Sequence, residues 1–308
     1  MSDRLVVERL RIDRGGAPLL RDIDLSVRAG EVLAILGPNG VGKSTLLAAC
    51  AGLLTPASGH VDARGRVATL LQTPALANRT VEENVELALR WSGQRTTRSE
   101  RRDRAHAALE RLGVEHLAGR SASTLSGGEA RRVHLARGVV VEPEILLLDE
   151  PFAGLDAGAR ADLLYDAASV LRSPDRATVI VVHDRAEAWA LADRVAVLLD
   201  GVLEQVGSPE EVFRSPATER VADFVGFTGS LVEGDVVRRL RVGDVSLSDD
   251  GQFEATVVRR IPLEDGVRVE LRSETAALAL VASAPGPLPG SVVRFSVGTG
   301  CQFARSPS

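Results

Sequence analysis

The segment GPNGVGKST, residues 37–45, constrains this chain more than any other stretch. It follows EVLAILG (31–37), a short and nearly all-apolar run, and precedes LLAACAGLL, which is apolar and helix-prone. Strand, glycine loop and helix in that order open an α/β unit. Gly37, Pro38, Asn39, Gly40, Val41 and Gly42 form the loop. Its glycines let backbone N–H groups converge on phosphate oxygens, and the following helix adds its positive end. Lys43 is placed to reach the β- and γ-phosphates of a nucleotide, Ser44 to put its hydroxyl on Mg²⁺, and Thr45 to begin the helix behind them. Composition sharpens this reading. Of 37 basic residues only Lys43 is a lysine. Where arginine serves every generic positive charge, the position that keeps lysine needs a compact ammonium on a flexible stem.

A second element is ILLLDE at 145–150. A carboxylate at the tip of a buried parallel strand faces the crevice where such sheets bind ligands. Asp149 there would hold Mg²⁺, and Glu150 would orient and polarise an attacking water. Taken alone, the pair could equally be two polar residues ending a strand. A third element, LSGGE at 125–129, precedes the helical run ARRVHLARGVV. Ser126, Gly127, Gly128 and Glu129 offer a second anion cradle of amides, a hydroxyl and a helix N-terminus. One nucleotide does not need two cradles in one site, which points to a nucleotide held by another subunit.

Around these motifs the chain reads as two parts. Residues 5–12 and 19–27 alternate loosely and form antiparallel strands about Gly15-Gly16. Residues 78–118 are mostly helical, with Thr80 and Glu83 as a capping box. ILLLD, TVIVVH (178–183) and RVAVLLDG (194–201) are apolar throughout, as central strands covered by helices should be. Up to residue 228 this is one α/β domain, with a helical subdomain at about 73–140 and an antiparallel β edge. From 229 to 308 short strands recur between Gly, Pro and Asp, the pattern of a small all-β barrel-like domain, and the RSPS tail reads as disordered.

The formal charge of −5 argues against a nucleic-acid partner. Cys50 and Cys301 make no metal spacing and suit a reducing compartment. The N-terminus shows no signal-peptide pattern and no run is long enough to cross a bilayer, so the expectation is a cytoplasmic protein.

In order, these motifs resemble the ABC ATPase family over roughly residues 4–228: GPNGVGKST, a glutamine loop at Gln72, LSGGE, ILLLDE, AGLD at 153–156 and a switch histidine at His183. The resemblance implies a homodimer closing around two Mg·ATP, each between one subunit's phosphate loop and the other's LSGGE. It further implies that Gln72 touches Mg²⁺, that Ser126 and Gly128 meet the opposite nucleotide, and that Asp156 couples the two sites. His183 would hold the γ-phosphate and the catalytic water beside Glu150. Asp156 could instead be a helix N-cap, and His183 a packing residue. Two departures stand out: Arg14 occupies the place of the family's adenine-stacking aromatic, and Glu129 replaces the commoner glutamine. The tail is similar to the TOBE/MOP-like regulatory β domain of importer ATPases. It would either bind the solute or stabilise the dimer. The implied setting is the inner face of the cell membrane, with transmembrane permease subunits and an extracytoplasmic solute-binding protein. Inorganic oxyanions such as molybdate, tungstate or sulfate are the first expectation for cargo; iron, polyamine or sugar are alternatives. A soluble ABC ATPase acting on ribosomes or nucleic acid is the rival class, and such proteins usually carry two cassettes or a coiled-coil insertion.

Overall fold

The computed structural model describes residues 2–305, so Ser306–Ser308 of the tail lie outside the described residues. By their contacts the residues form two compact units, Met1–Pro209 and Glu210–Ser308.

In the first unit, β1 (Asp3–Arg14) and β2 (Ala17–Arg28) pair antiparallel about Gly15 and Gly16, both at positive φ. Leu5, Val7, Leu10 and Ile12 of β1 are buried, as are Leu20, Ile23, Leu25 and Val27 of β2. The step from 7 to 10 breaks strict alternation. A bulge absorbs it, with Arg9 at φ 44 and its N–H donated to Asp24 Oδ1 at 2.9 Å. This is why the sequence alternates only loosely.

β3 (Val32–Leu36) leads through the glycine loop to α1 (Lys43–Cys50). The apolar run continues past α1, but Gly52 adopts φ 70 and Leu53 and Leu54 are left exposed. β4 (Ser58–Ala63) joins the other edge of β1, and β5 (Val67–Leu70) follows. Next come α2 (Val81–Trp91), α3 (Arg98–Arg111) and α4 (Gly127–Val139). Each begins with a reciprocal capping box: Thr80 with Glu83, Thr97 with Glu100, Ser126 with Glu129. β6 (Ile145–Asp149), α5 (Ala157–Leu171), β7 (Ala177–Val181), α6 (Arg185–Leu191), β8 (Arg194–Leu199) and β9 (Val202–Gly207) complete the unit.

The central sheet runs β5-β6-β7-β3-β8-β9, parallel except for β9. Every residue of β3, β6 and β7 is buried, the expected result for strands covered on both faces. Burying one such Leu or Ile contributes roughly 2 kcal/mol. The carboxyl ends of β3, β7 and β6 are neighbours, so the residues that follow these strands share one rim.

The second unit is antiparallel. β10 (Gly229–Glu233), β11 (Val236–Leu240), β12 (Val245–Leu247), β13 (Phe253–Leu263), β14 (Gly266–Arg272), β15 (Ala276–Ala282), β16 (Val292–Val297) and β17 (Cys301–Ala304) make one sheet. Its order is β12-β16-β13-β14-β15-β10-β11-β17. Leu231, Leu240, Val269, Leu278, Leu280 and Phe295 lie in its own core. The division by contacts falls at 209/210 rather than at 228/229, where the strands begin. The reason is local: the two short helices of 209–224 are tied to the strands. Arg239 pairs with Asp223, Arg241 donates to Phe213 O, and the Arg241 guanidinium lies 4.2 Å over the Phe227 ring.

Candidate functional site

The glycine loop is built by close approach. A Cβ on Gly37 would stand 2.3 Å from Leu198 O of β8. Gly42 has φ +111, and a Cβ there would meet Leu20 Cδ2 at 2.8 Å. Only glycine fits either place. The loop therefore wraps tightly round the end of β3 and delivers Lys43 and Ser44 to the first turn of α1. Lys43 is buried, and its ammonium donates to Gly37 O at 2.8 Å and Pro38 O at 3.0 Å. Burial pushes its pKa down, while the nearby Glu150 and Asp149 carboxylates oppose that shift.

Ser44 Oγ donates to Asp149 Oδ1 at 3.1 Å, joining the loop to the end of β6. Burial raises the Asp149 pKa, with the Ser44 bond acting the other way. Glu150 follows with φ 48, a left-handed backbone that an ordinary side chain occupies at a cost of about 1–2 kcal/mol. Its N–H donates to Val181 O at 3.1 Å. Its carboxylate accepts from Gln72 Nε2 at 2.7 Å through Oε2 and touches His183 Nε2 through Oε1.

Arg14, Leu19, Asn39, Gly40, Gly42, Lys43, Ser44, Thr45, Gln72, Glu150 and His183 line one open cavity of about 330 Å³. A second hollow of about 410 Å³ continues beside it, lined by Ile12, Asp13, Arg14, Ser44, Thr45, Ala48 and Leu54. Arg14 belongs to both, with apolar Ile12, Ala48 and Leu54 where no aromatic ring is present. Chemically the first cavity offers amides and one ammonium for anions, and hydroxyl and carboxylate oxygens for a hard cation. Glu150 and His183 supply a hydrogen-bonded carboxylate–imidazole pair able to handle a water proton.

Several expected site residues are not part of this lining: Gly37 and Asp149 join it only through their bonds to Lys43 and Ser44, and others stand elsewhere. Ser126, Gly127, Gly128 and Glu129 do not line this cavity. Ser126 Oγ instead accepts the Glu129 N–H at 3.3 Å, and the Glu129 carboxylate accepts the Ser126 N–H at 2.7 Å. That pairing holds the Glu129 carboxyl below the usual carboxylate range. LSGGE carries the S-x-x-E signature of a capping box, a second meaning beside that of an anion cradle. Asp156 is the N-cap of α5 and accepts the Ala159 N–H at 2.9 Å, the plainer of its two readings. Pro38 and Val41 shape the loop from outside the cavity: Pro38 lends its carbonyl to Lys43, and Val41 Cγ1 packs at the Gly37 position.

One side chain that no motif marked also reaches the site. Arg131 of α4 donates to Gln72 O, to Glu150 O at 3.4 Å and to Ala153 O at 2.8 Å. In the sequence it is one more arginine on a charged helix.

Residues 20–153 match the family model described as ABC transporter. The chain is 41% identical over 271 residues to the sulfate/thiosulfate import ATP-binding protein CysA of Pseudomonas aeruginosa, covering 82% of each. It is 36% identical to the molybdate/tungstate import ATP-binding protein WtpC of Thermococcus kodakarensis, covering 84% of each chain. It is 37% identical to the spermidine/putrescine import ATP-binding protein PotA of Oleidesulfovibrio alaskensis, over 86% of this chain and 74% of that one. Among solved structures it resembles cbiO1 of Clostridium perfringens, part of the ABC transporter complex cbiONQ. The TM-score is 0.64 and the identity 31%, covering 73% of this chain and 95% of that chain.

Proposed function

The chain belongs to the ABC transporter family as an importer-type, ATP-hydrolysing ATP-binding subunit, and from that premise we propose how its residues divide the work. The observation that carries the proposal is the convergence of Lys43, Ser44, Gln72, Glu150 and His183 on one cavity at the carboxyl ends of β3, β6 and β7.

The loop amides and Lys43 bind and orient the phosphates. Mg²⁺ fits the donors present: Ser44 Oγ and Asp149 Oδ1 are hard oxygens 3.1 Å apart, and Gln72 turns its Nε2 to Glu150, which leaves its amide oxygen for a cation. When bound, Mg·ATP supplies the γ-phosphoryl group and neutralises charge that develops on it. Glu150 orients a water and accepts its proton, and His183 holds the carboxylate in place and faces the same space. Arg14 and the apolar wall of Ile12, Ala48 and Leu54 receive the base, a guanidinium plane standing where a ring would stack.

Ser126, Gly127, Gly128, Glu129 and Asp156 serve a second copy. Their position outside the cavity, with Ser126, Gly127 and Asp156 exposed, supports this reading. In the resulting homodimer each copy covers the other's nucleotide. The partners are transmembrane permease subunits, with an extracytoplasmic solute-binding protein delivering cargo. No helix among the described residues is long and apolar enough to cross a membrane, so the passage itself falls to those partners. We assign nucleotide work to 1–228 and a TOBE-like regulatory or dimer-stabilising role to 229–308. An inorganic oxyanion such as sulfate, molybdate or tungstate is the cargo we favour, on the names of two of the relatives above; polyamine, the cargo in PotA's name, is the second reading.

The decisive variant is Glu150→Gln. Turnover should fall at least 100-fold while ATP binding is kept, and ATP should convert the chain to a dimer in size-exclusion chromatography. An undiminished hydrolysis rate would remove Glu150 from the catalytic assignment. Purification in mild detergent tests the setting. A stoichiometric polytopic membrane protein is expected, and recovery of ribosomes in its place would overturn the transport role.

A further inference from the structure

Helix α4 grips the loop after β5 along one side. Arg131, His134 and Arg137, at three-residue spacing, direct their side chains to Gln72 O, Leu71 O and Ala75 O. Arg131 does more than its neighbours. Its guanidinium joins three backbone segments that sequence keeps far apart: Gln72 after β5, Glu150 at the end of β6, and Ala153 in the turn before α5.

The Glu150 contact matters because that residue's backbone is left-handed. Such a conformation persists only where the surroundings over-determine it. On its N–H side the peptide is held by Val181 O at 3.1 Å. On its carbonyl side two donors meet Glu150 O, the Ala153 N–H at 3.1 Å and the Arg131 guanidinium at 3.4 Å, and Arg131 also holds the Ala153 carbonyl. These anchors together set the direction in which the carboxylate leaves the chain. The same guanidinium holds the carbonyl of Gln72, whose side chain bonds that carboxylate at 2.7 Å. Arg131 itself is absent from the cavity lining.

We propose that Arg131 is a positioning residue for ATP hydrolysis: it holds the Glu150 and Gln72 backbones so that their side chains meet at the reacting water. The proposal rests on the assignment of Glu150 as the catalytic carboxylate. It also gives α4, which begins at the Ser126 cap, a direct mechanical link to the hydrolytic centre. A rigid fork of five N–H donors suits three carbonyls; a lysine ammonium can serve one of them well but not all three.

The test compares Arg131→Met and Arg131→Lys with the parent in the full-length chain. Mg·ATP turnover and binding of a fluorescent ATP analogue are measured, with Glu150→Gln alongside. A displacement near 1 Å at a reacting group can cost about 100-fold in rate. Arg131→Met should therefore lose 10- to 100-fold in kcat with KM and analogue affinity within about threefold of the parent, and Arg131→Lys should fall between. Parent-like kcat in Arg131→Met would overturn the proposal. So would a matched rise in KM with a lower Tm, the mark of a packing residue. Should Arg131→Met fail to fold, Arg131→Lys decides by the same split, and parent-like kcat there overturns it. Retained turnover in Glu150→Gln is a separate result, which would remove the catalytic premise whatever Arg131 shows.

Discussion

Lys43 and His134 show how the surroundings decide what a side chain can do. Lys43 bends its ammonium onto two carbonyls of its own loop, a compact arrangement for which a planar fork is ill suited. His134 is buried in α4, and its pKa is pushed down to about 4, chiefly by burial and further by Arg137 and Arg131, against the Leu71 carbonyl bond. It is therefore neutral at pH 7 and donates through Nε2. The sign of the linkage follows. The folded state resists protonation that the unfolded chain accepts near pH 6.5, so stability is full above that value and declines as pH falls toward 4. The loss amounts to about 3 kcal/mol at most. Urea titrations at pH 7 and pH 4.5 should show a drop in the parent that His134→Gln largely lacks. An equal drop in both would assign the acid sensitivity elsewhere.

Three helices of the first unit start with the same device, and its context changes what it means. At Thr80 and Thr97 the capping box satisfies orphan amides and does nothing else visible. At Ser126 the same two bonds occupy a hydroxyl and an amide that the proposed dimer offers to the opposite nucleotide. Cap stability and ligand contact thus compete at one helix start and not at the others. Thr80→Ala should cost roughly 1 kcal/mol in urea unfolding and leave kcat within twofold of the parent. A loss of turnover in that variant would tie α2 to the chemistry, which its caps alone do not do.

The two units have separate hydrophobic cores, one around β1–β3, β6 and β7 and one inside the C-terminal sheet. The residues we assign to the nucleotide all lie in the first. A ligand that binds only folded protein stabilises by RT ln(1 + [L]/Kd), about 2.7 kcal/mol at a hundredfold excess over Kd. Scanning calorimetry of the full chain should resolve two transitions, with Mg·ATP raising one and leaving the other in place. A single transition that moves as a whole would mean that the cores melt together.

Much of this was readable in the chain. GPNGVGKST between an apolar strand and a helix, the carboxylates ending ILLLD, and His183 after TVIVV all have local causes: strand burial and glycine geometry that neighbours in sequence dictate. The capping boxes at 80 and 126 are equally local. What no window of sequence contains is the meeting of β3, β6 and β7 at one rim, or the reach of Arg131 to Gln72, Glu150 and Ala153. In sequence Arg131 is indistinguishable from a solvated charge on a helix face. Its role arises because parallel strands bring distant loops side by side, and a packed helix then lays one guanidinium across them. Local chemistry determines which groups are present; only the tertiary arrangement decides which carbonyls and carboxylates they find.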